Sequence, residues 1–139
     1  MKNLYKNPEY GRRSGDVWSV PCKNGTEVHK GDLIFIDRYG YAITATSDLS
    51  VNGFLGVADE GKSADEKERN IVVLSTGVFP FNKIKGEPLI LGDGLKVVDN
   101  NTLTFGYNHN IDNVVAICYS SCDKDSDGVL AKIITQLCK

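Results

Sequence analysis

The chain has 139 residues, the length of one ordinary domain, and a second independent domain would leave each part undersized. Its 16 Lys and Arg are set against 18 Asp and Glu, and a net charge of -2 excludes an overall field that would draw in a phosphate backbone. No apolar run approaches the ~20 residues that span a bilayer, and residues 1–16 lack the apolar stretch of a signal peptide. The expectation is a protein made and kept in a cytoplasm-like compartment, with no nucleic-acid and no membrane partner.

Residues 1–16 hold Pro8, Gly11, Gly15 and four basic residues, Lys2, Lys6, Arg12 and Arg13, with no periodic apolar pattern, and read as an extended N-terminal arm. From Val17 the chain changes to short apolar runs separated by Gly, Asn and Asp, the punctuation of strands and turns. Strands are expected over 17–21, 33–37, 41–45, 54–58, 71–76, 78–81, 88–91, 96–98, 103–105, 114–120 and 129–135. β-Branched and aromatic residues dominate them. The run Leu33-Ile34-Phe35-Ile36 is apolar on both faces, so cover is expected on both sides of it. The fold class that follows is all-β: one domain over 17–139, a small β-barrel or β-sandwich of short antiparallel strands.

The segment 63–69 has helical composition, and Ser63 and Glu66 have capping-box spacing, but it carries no apolar stripe to bury and reads as a connector. There is also an internal echo. Gly31-Asp32 leads into Leu33-Ile34-Phe35-Ile36-Asp37 much as Gly92-Asp93 leads into Gly94-Leu95-Lys96-Val97-Val98-Asp99. Each is followed by a strand of small apolar residues, Leu55 to Ala58 and Val114 to Ile117. Turns at this spacing suit strands returning around a small barrel or sandwich.

Asp123, Asp125, Asp127 and Gly128 match the opening of a calcium loop, but the position of the closing bidentate Glu falls on Ile134 and the flanks are strand-like. A polar hairpin turn accounts for the segment, and the three carboxylates stand only as a weak calcium candidate. Cys118 and Cys122 lie four apart, about 13 Å along a strand, too far to share a zinc ion unless the chain turns at Ser120-Ser121. With Cys22 and Cys138 they are expected to be free thiols, and no metal or cofactor is expected. Of the two histidines, His29 precedes a turn and His109 sits in a loop; no nucleophile elbow, phosphate loop or dinucleotide fingerprint accompanies them, and no catalytic residue is assigned. In the arm, Leu4, Tyr5 and Tyr10 interleave with Arg12 and Arg13, as at surfaces that lie across a neighbouring subunit, although a solvated terminus has the same composition. Trp18, where the arm enters the domain, reads either as a contact or as a core plug.

The succession Gly31-Asp32-Leu33-Ile34, Gly53-Phe54-Leu55-Gly56-Val57-Ala58, Ile71-Val72-Val73 running into Gly77-Val78-Phe79, Gly92-Asp93 and Val114 to Tyr119 resembles the bacteriophage capsid decoration, or cement, proteins. The resemblance spans roughly 17–120. It implies a small β-barrel-like domain, often trimeric, that binds the outside of a phage capsid and clamps major capsid subunits without catalysis. Contacts would then come from Leu4, Tyr5, Tyr10, Arg12, Arg13 and Trp18, with the major capsid protein and further copies of the chain as partners. The arm, the four cysteines and the charged insert at 61–70 depart from that pattern. Two other readings stand beside it. One is a fibre base or carbohydrate-binding module using Tyr39, Tyr41 and Tyr107 as stacking platforms; the other is a small β-barrel hydrolase, which would need a cleft holding His29 or His109 beside a carboxylate.

Overall fold

A computed structural model describes residues 17–45, 53–106 and 114–135. The described residues form ten strands and no helix: β1 (Val17–Cys22), β2 (Leu33–Ile36), β3 (Ala42–Thr44), β4 (Phe54–Ala58), β5 (Arg69–Leu74), β6 (Val78–Lys83), β7 (Gly94–Asp99), β8 (Thr102–Phe105), β9 (Ala116–Cys118) and β10 (Gly128–Ile133). The chain is all-β, as its punctuation implies. Strands β1 to β5 make a sheet in the order β1-β5-β4-β2-β3, and β6 to β10 close a five-stranded barrel. Every pairing is antiparallel except β6 with β8, which seals the barrel in parallel.

The two halves repeat one design. Read from β6, the barrel runs β6-β10-β9-β7-β8, the order of the first sheet strand for strand. Val20 faces Ile71 in one half, and Phe81 faces Val129 in the other. The turns repeat as closely. Gly31 N donates to Ala58 O at 2.8 Å and Gly92 N to Cys118 O at 2.8 Å. The carboxylates of Asp32 and Asp93 accept from the backbone N–H of His29 and Ile90 at 2.9 and 2.8 Å. Gly31 and Gly92 hold φ of 96° and 97°, a left-handed conformation that residues with a Cβ rarely adopt. The echo at Gly-Asp therefore marks a whole repeat, with one shift of detail: Leu55 to Ala58 align with Val115 to Cys118.

Strands β2 and β4 are buried on both faces. Ile34, Leu55 and Ala58 turn into the first half's own core with Val20, Val28, Ile71 and Val73. Leu33, Phe35, Phe54 and Val57 turn the other way, into a cluster that includes Phe81, Leu95, Leu103, Val115 and Ala131 of the barrel. That shared cluster joins the halves, and Phe35 and Phe54 pack tilted at 5.2 Å within it. Apolar burial here, rather than any single hydrogen bond, sets how the halves sit together.

Two expectations need correction or completion. The run 88–91 is not a strand: Leu89 makes one isolated bridge to Cys122, while Ile90 and Leu91 lie exposed on a turn. The connector at 63–69 forms no helix: Ser63 N donates to Glu66 Oε1 at 3.4 Å, one half of a capping box, while Glu66 N donates to the Ser63 backbone carbonyl at 3.2 Å, the bond of a turn and not of the Ser63 hydroxyl. Arg69, opening β5, fastens the same turn by reaching Glu66 at 2.7 Å and Gly61 O at 2.6 Å.

Candidate interaction surfaces

The acidic loop after β9 is organised by a lysine. Asp125 N donates to Asp123 Oδ1 at 3.0 Å, an Asx turn, and Asp127 lies 3.5 Å from Lys85 Nζ. Beneath it Lys83, buried on β6, donates its ammonium protons to the carbonyls of Ile84 at 2.8 Å, Ser126 at 3.2 Å and Lys124 at 3.4 Å. Loop carbonyls that could face a cation thus face a cation supplied by the chain. Among the described residues no group of three or more His, Cys, Asp or Glu is placed to hold a metal.

Cys22 and Cys118 are buried and free, and burial pushes both thiols above the ordinary cysteine range. The chain does turn after Cys118, whose Sγ donates to Ser120 O at 3.4 Å, and half-buried Cys122 is free as well. Cys138 and His109 lie outside the described residues. His29 Nε2 lies 2.8 Å from Glu27 Oε1, but both side chains stand in solvent on a turn and not in a cleft.

Two surfaces expose large side chains. The first is the β2–β3 turn. The Asp37 carboxylate accepts from Tyr39 N at 2.8 Å and Tyr41 N at 3.0 Å, and these bonds, Tyr41's foremost, hold its pKa below the usual carboxylate value. Tyr39, 73% exposed, stands beside Arg38, whose guanidinium is 5.8 Å from the ring centroid. Lys23 Nζ sits 4.5 Å over the Tyr41 ring and 5.9 Å from that of Tyr39. Tyr107 lies outside the described residues.

The second surface is the outer face of β9-β10-β6. Gly128, Leu130 and Lys132 point outward along β10, with Pro80 and Val78 opposite Leu130 and Lys132 on β6, and Ile117 opposite Lys132 on β9. Tyr119 N donates to Leu130 O at 2.8 Å, which sets Tyr119 beside Leu130. The turn carrying Ile90 and Leu91 is tied to the same edge by Leu91 N donating to Ser121 Oγ at 2.8 Å. Ile90 is 66% exposed, Leu91 63%, Tyr119 56% and Leu130 45%. The equivalent positions in the first half are His29, Lys30, Asp59 and Val72, with Ser19 in place of Pro80. The first half is polar at four of these five positions, with Val72 apolar where the second half has Leu130.

The arm residues Leu4, Tyr5, Tyr10, Arg12 and Arg13 lie outside the described residues. Trp18 is half-buried and packs against the first half's core. Sequence reasoning missed the apolar face, although Ile90-Leu91 standing where the repeat has His29-Lys30 is a signal visible in the sequence.

No family model and no curated protein matches the chain. Among solved structures it is similar to the N base of the head fibre gp8.5 of bacteriophage phi29, with a TM-score of 0.55 and 12% identity. The likeness covers 85% of this chain and 94% of that one, and at this identity it establishes a shared fold.

Proposed function

We propose that this chain is a non-enzymatic structural protein of a bacteriophage virion, seated on the outer surface of the capsid and bound to the major capsid protein. The observation that carries the reading is the likeness to a head-fibre base across nearly all of that chain. Within this role the base of a head fibre is favoured over a cement protein that clamps neighbouring subunits, because the likeness is to the former. The surfaces support attachment: an arm with aromatic and Arg anchors, an exposed cation–tyrosine turn and a broad apolar face are the chemistry of protein contacts. Many modest contacts repeated over a shell hold by multivalency even where each alone is weak. The carbohydrate reading has less behind it, since Lys23 already lies over the Tyr41 ring on which a sugar would stack.

Co-sedimentation with capsids lacking this protein tests the proposal. Full-length chain should pellet saturably, in a fixed ratio to capsid subunits, and removal of residues 1–16 should weaken binding. A full-length chain that stays in the supernatant at every salt concentration would overturn the capsid role.

A further inference from the structure

We infer that the β2–β3 turn, with Lys23 beside it, is the patch through which this chain meets the capsid, and that it docks there on a cluster of carboxylates of the major capsid protein. The inference rests on the capsid reading above and adds to it which surface binds and what chemistry it binds.

The side chains of this turn are not a requirement of the fold. In the repeat, Lys23 and Arg38 stand where the second half has Ile84 and Asp99, and Tyr39 and Tyr41 where it has Asn100 and Thr102. The second half's turn helps to join the halves, its Asn100 O accepting from Leu33 N at 2.7 Å. The first half's turn faces solvent instead, with Arg38, Tyr39 and Gly40 all exposed.

Charge chooses the partner. The turn's own carboxylate, Asp37, is engaged by the backbone, its Oδ1 accepting from Tyr39 N and Tyr41 N. Among the described residues neither Lys23 nor Arg38 lies within ion-pair distance of a carboxylate, although Asp37 feels the Lys23 charge from further off. Both cations lie against rings, Lys23 Nζ 4.5 Å from the Tyr41 centroid and the Arg38 guanidinium 5.8 Å from that of Tyr39. Arg69, the other arginine among the described residues, is closed off by Glu60 at 3.3 Å and Glu66 at 2.7 Å. Arg38 thus keeps its N–H fork for a partner, and a fork of that shape clamps a carboxylate with two parallel bonds. A side chain already held against a ring loses less freedom on pairing, and Tyr and Arg are the residues on which binding energy concentrates. A positive, donor-bearing patch fits an acidic surface and rejects a basic one.

Titration of the full-length chain against capsids lacking this protein, read by co-sedimentation at low and high salt, tests this. Lys23→Glu combined with Arg38→Glu should weaken binding about tenfold or more, and wild-type binding should fall as salt rises. Lys67→Glu combined with Lys96→Glu makes the same change of net charge at exposed lysines elsewhere, and should bind within about twofold of wild type. Circular dichroism checks that each variant is folded. If the double reversal fails to fold, Lys23→Gln and Arg38→Gln decide, each expected to weaken binding about threefold. A double reversal that binds as wild type, a Lys67 and Lys96 pair that weakens binding as much, or wild-type binding indifferent to salt would each overturn the inference and leave the capsid role standing. A wild-type chain that never pellets would overturn both.

Discussion

The two halves share a strand order and a set of turns, yet one closes as a barrel and the other does not. In the second half Asn82 N donates to Asn101 O at 2.9 Å, and their side chains bond at 3.1 Å. The Glu87 carboxylate accepts from the Thr104 hydroxyl at 2.8 Å and from Phe105 N at 2.9 Å, occupying the edge of β8. In the first half the residue at the position of Asn82 is Pro21, which has no N–H to give, and Gly40 and Thr26 stand for Asn101 and Glu87. Instead of hydrogen bonds, Lys23 reaches over Tyr41 between the end of β1 and the start of β3. Pro21 thus removes one of the bonds that close the seam in the second half.

A second contrast concerns the buried lysines. The first half uses Lys62, from the loop after β4, to reach the carbonyls of Thr26 and Ser63 at 3.1 and 3.2 Å. The second uses Lys83, from β6, and reaches three carbonyls. In each half the position that holds the lysine in the other is a cysteine: Cys22 where the second half has Lys83, and Cys122 where the first has Lys62. Both halves meet the same need to satisfy loop carbonyls under a buried surface, from opposite sides.

These contrasts can be broken by substitution. The largest effect is expected at Phe54, whose ring belongs to the cluster shared by the halves; Phe54→Ala should cost about 3–5 kcal/mol in denaturant unfolding and destabilise both halves together. Next, Asn82→Pro should open the second half's seam at a cost of about 2–3 kcal/mol, by removing a strand N–H and its bonded side chain. The reciprocal Pro21→Asn should leave total stability within about 1 kcal/mol, since the bond gained is offset by a less restricted unfolded chain. Its signature is a new slowly exchanging amide at position 21. Lys83→Met should cost about 1–3 kcal/mol, chiefly through the Ile84 and Ser126 carbonyls left without that donor, and Lys62→Met less, because Ser63 O keeps the Glu66 N–H and Thr26 O alone of the two loses its donor.

The smallest effect is a pH dependence at the β2–β3 turn. The folded state lowers the pKa of Asp37, chiefly through the Tyr41 N–H, so its contribution to stability is complete above the unfolded carboxylate pKa of about 3.9. It is lost as pH falls through the lowered folded value. Asp37→Asn should flatten that acid limb and lower stability at neutral pH by the same small amount that the limb carries. An unchanged acid limb would show that Asp37 does not set the turn.

Much of the fold was legible because strand runs in this chain are short and separated by Gly, Asn and Asp. The double-sided burial of β2 followed from Leu33-Ile34-Phe35-Ile36 alone. The failure at 88–91 is instructive: Ile90-Leu91 is an apolar run that serves a surface, and periodicity cannot tell an exposed patch from a core strand. The repeat showed at Gly-Asp, where a left-handed turn constrains the residue, and in the apolar strands that follow it; elsewhere the halves diverged at exposed positions that the fold leaves free. The seam was open to reading from Pro21, since proline within a strand points to an edge. The acidic loop could not be read correctly without knowing that Lys83, far away in sequence, lies under it.

The proposed place of this chain is the exterior of a phage particle. Immunogold electron microscopy of intact particles, with antibodies raised against the chain, tests it directly. Regularly spaced label is expected on the surface of unbroken heads. Label that appears only after heads are disrupted, or on no particle at all, would contradict it.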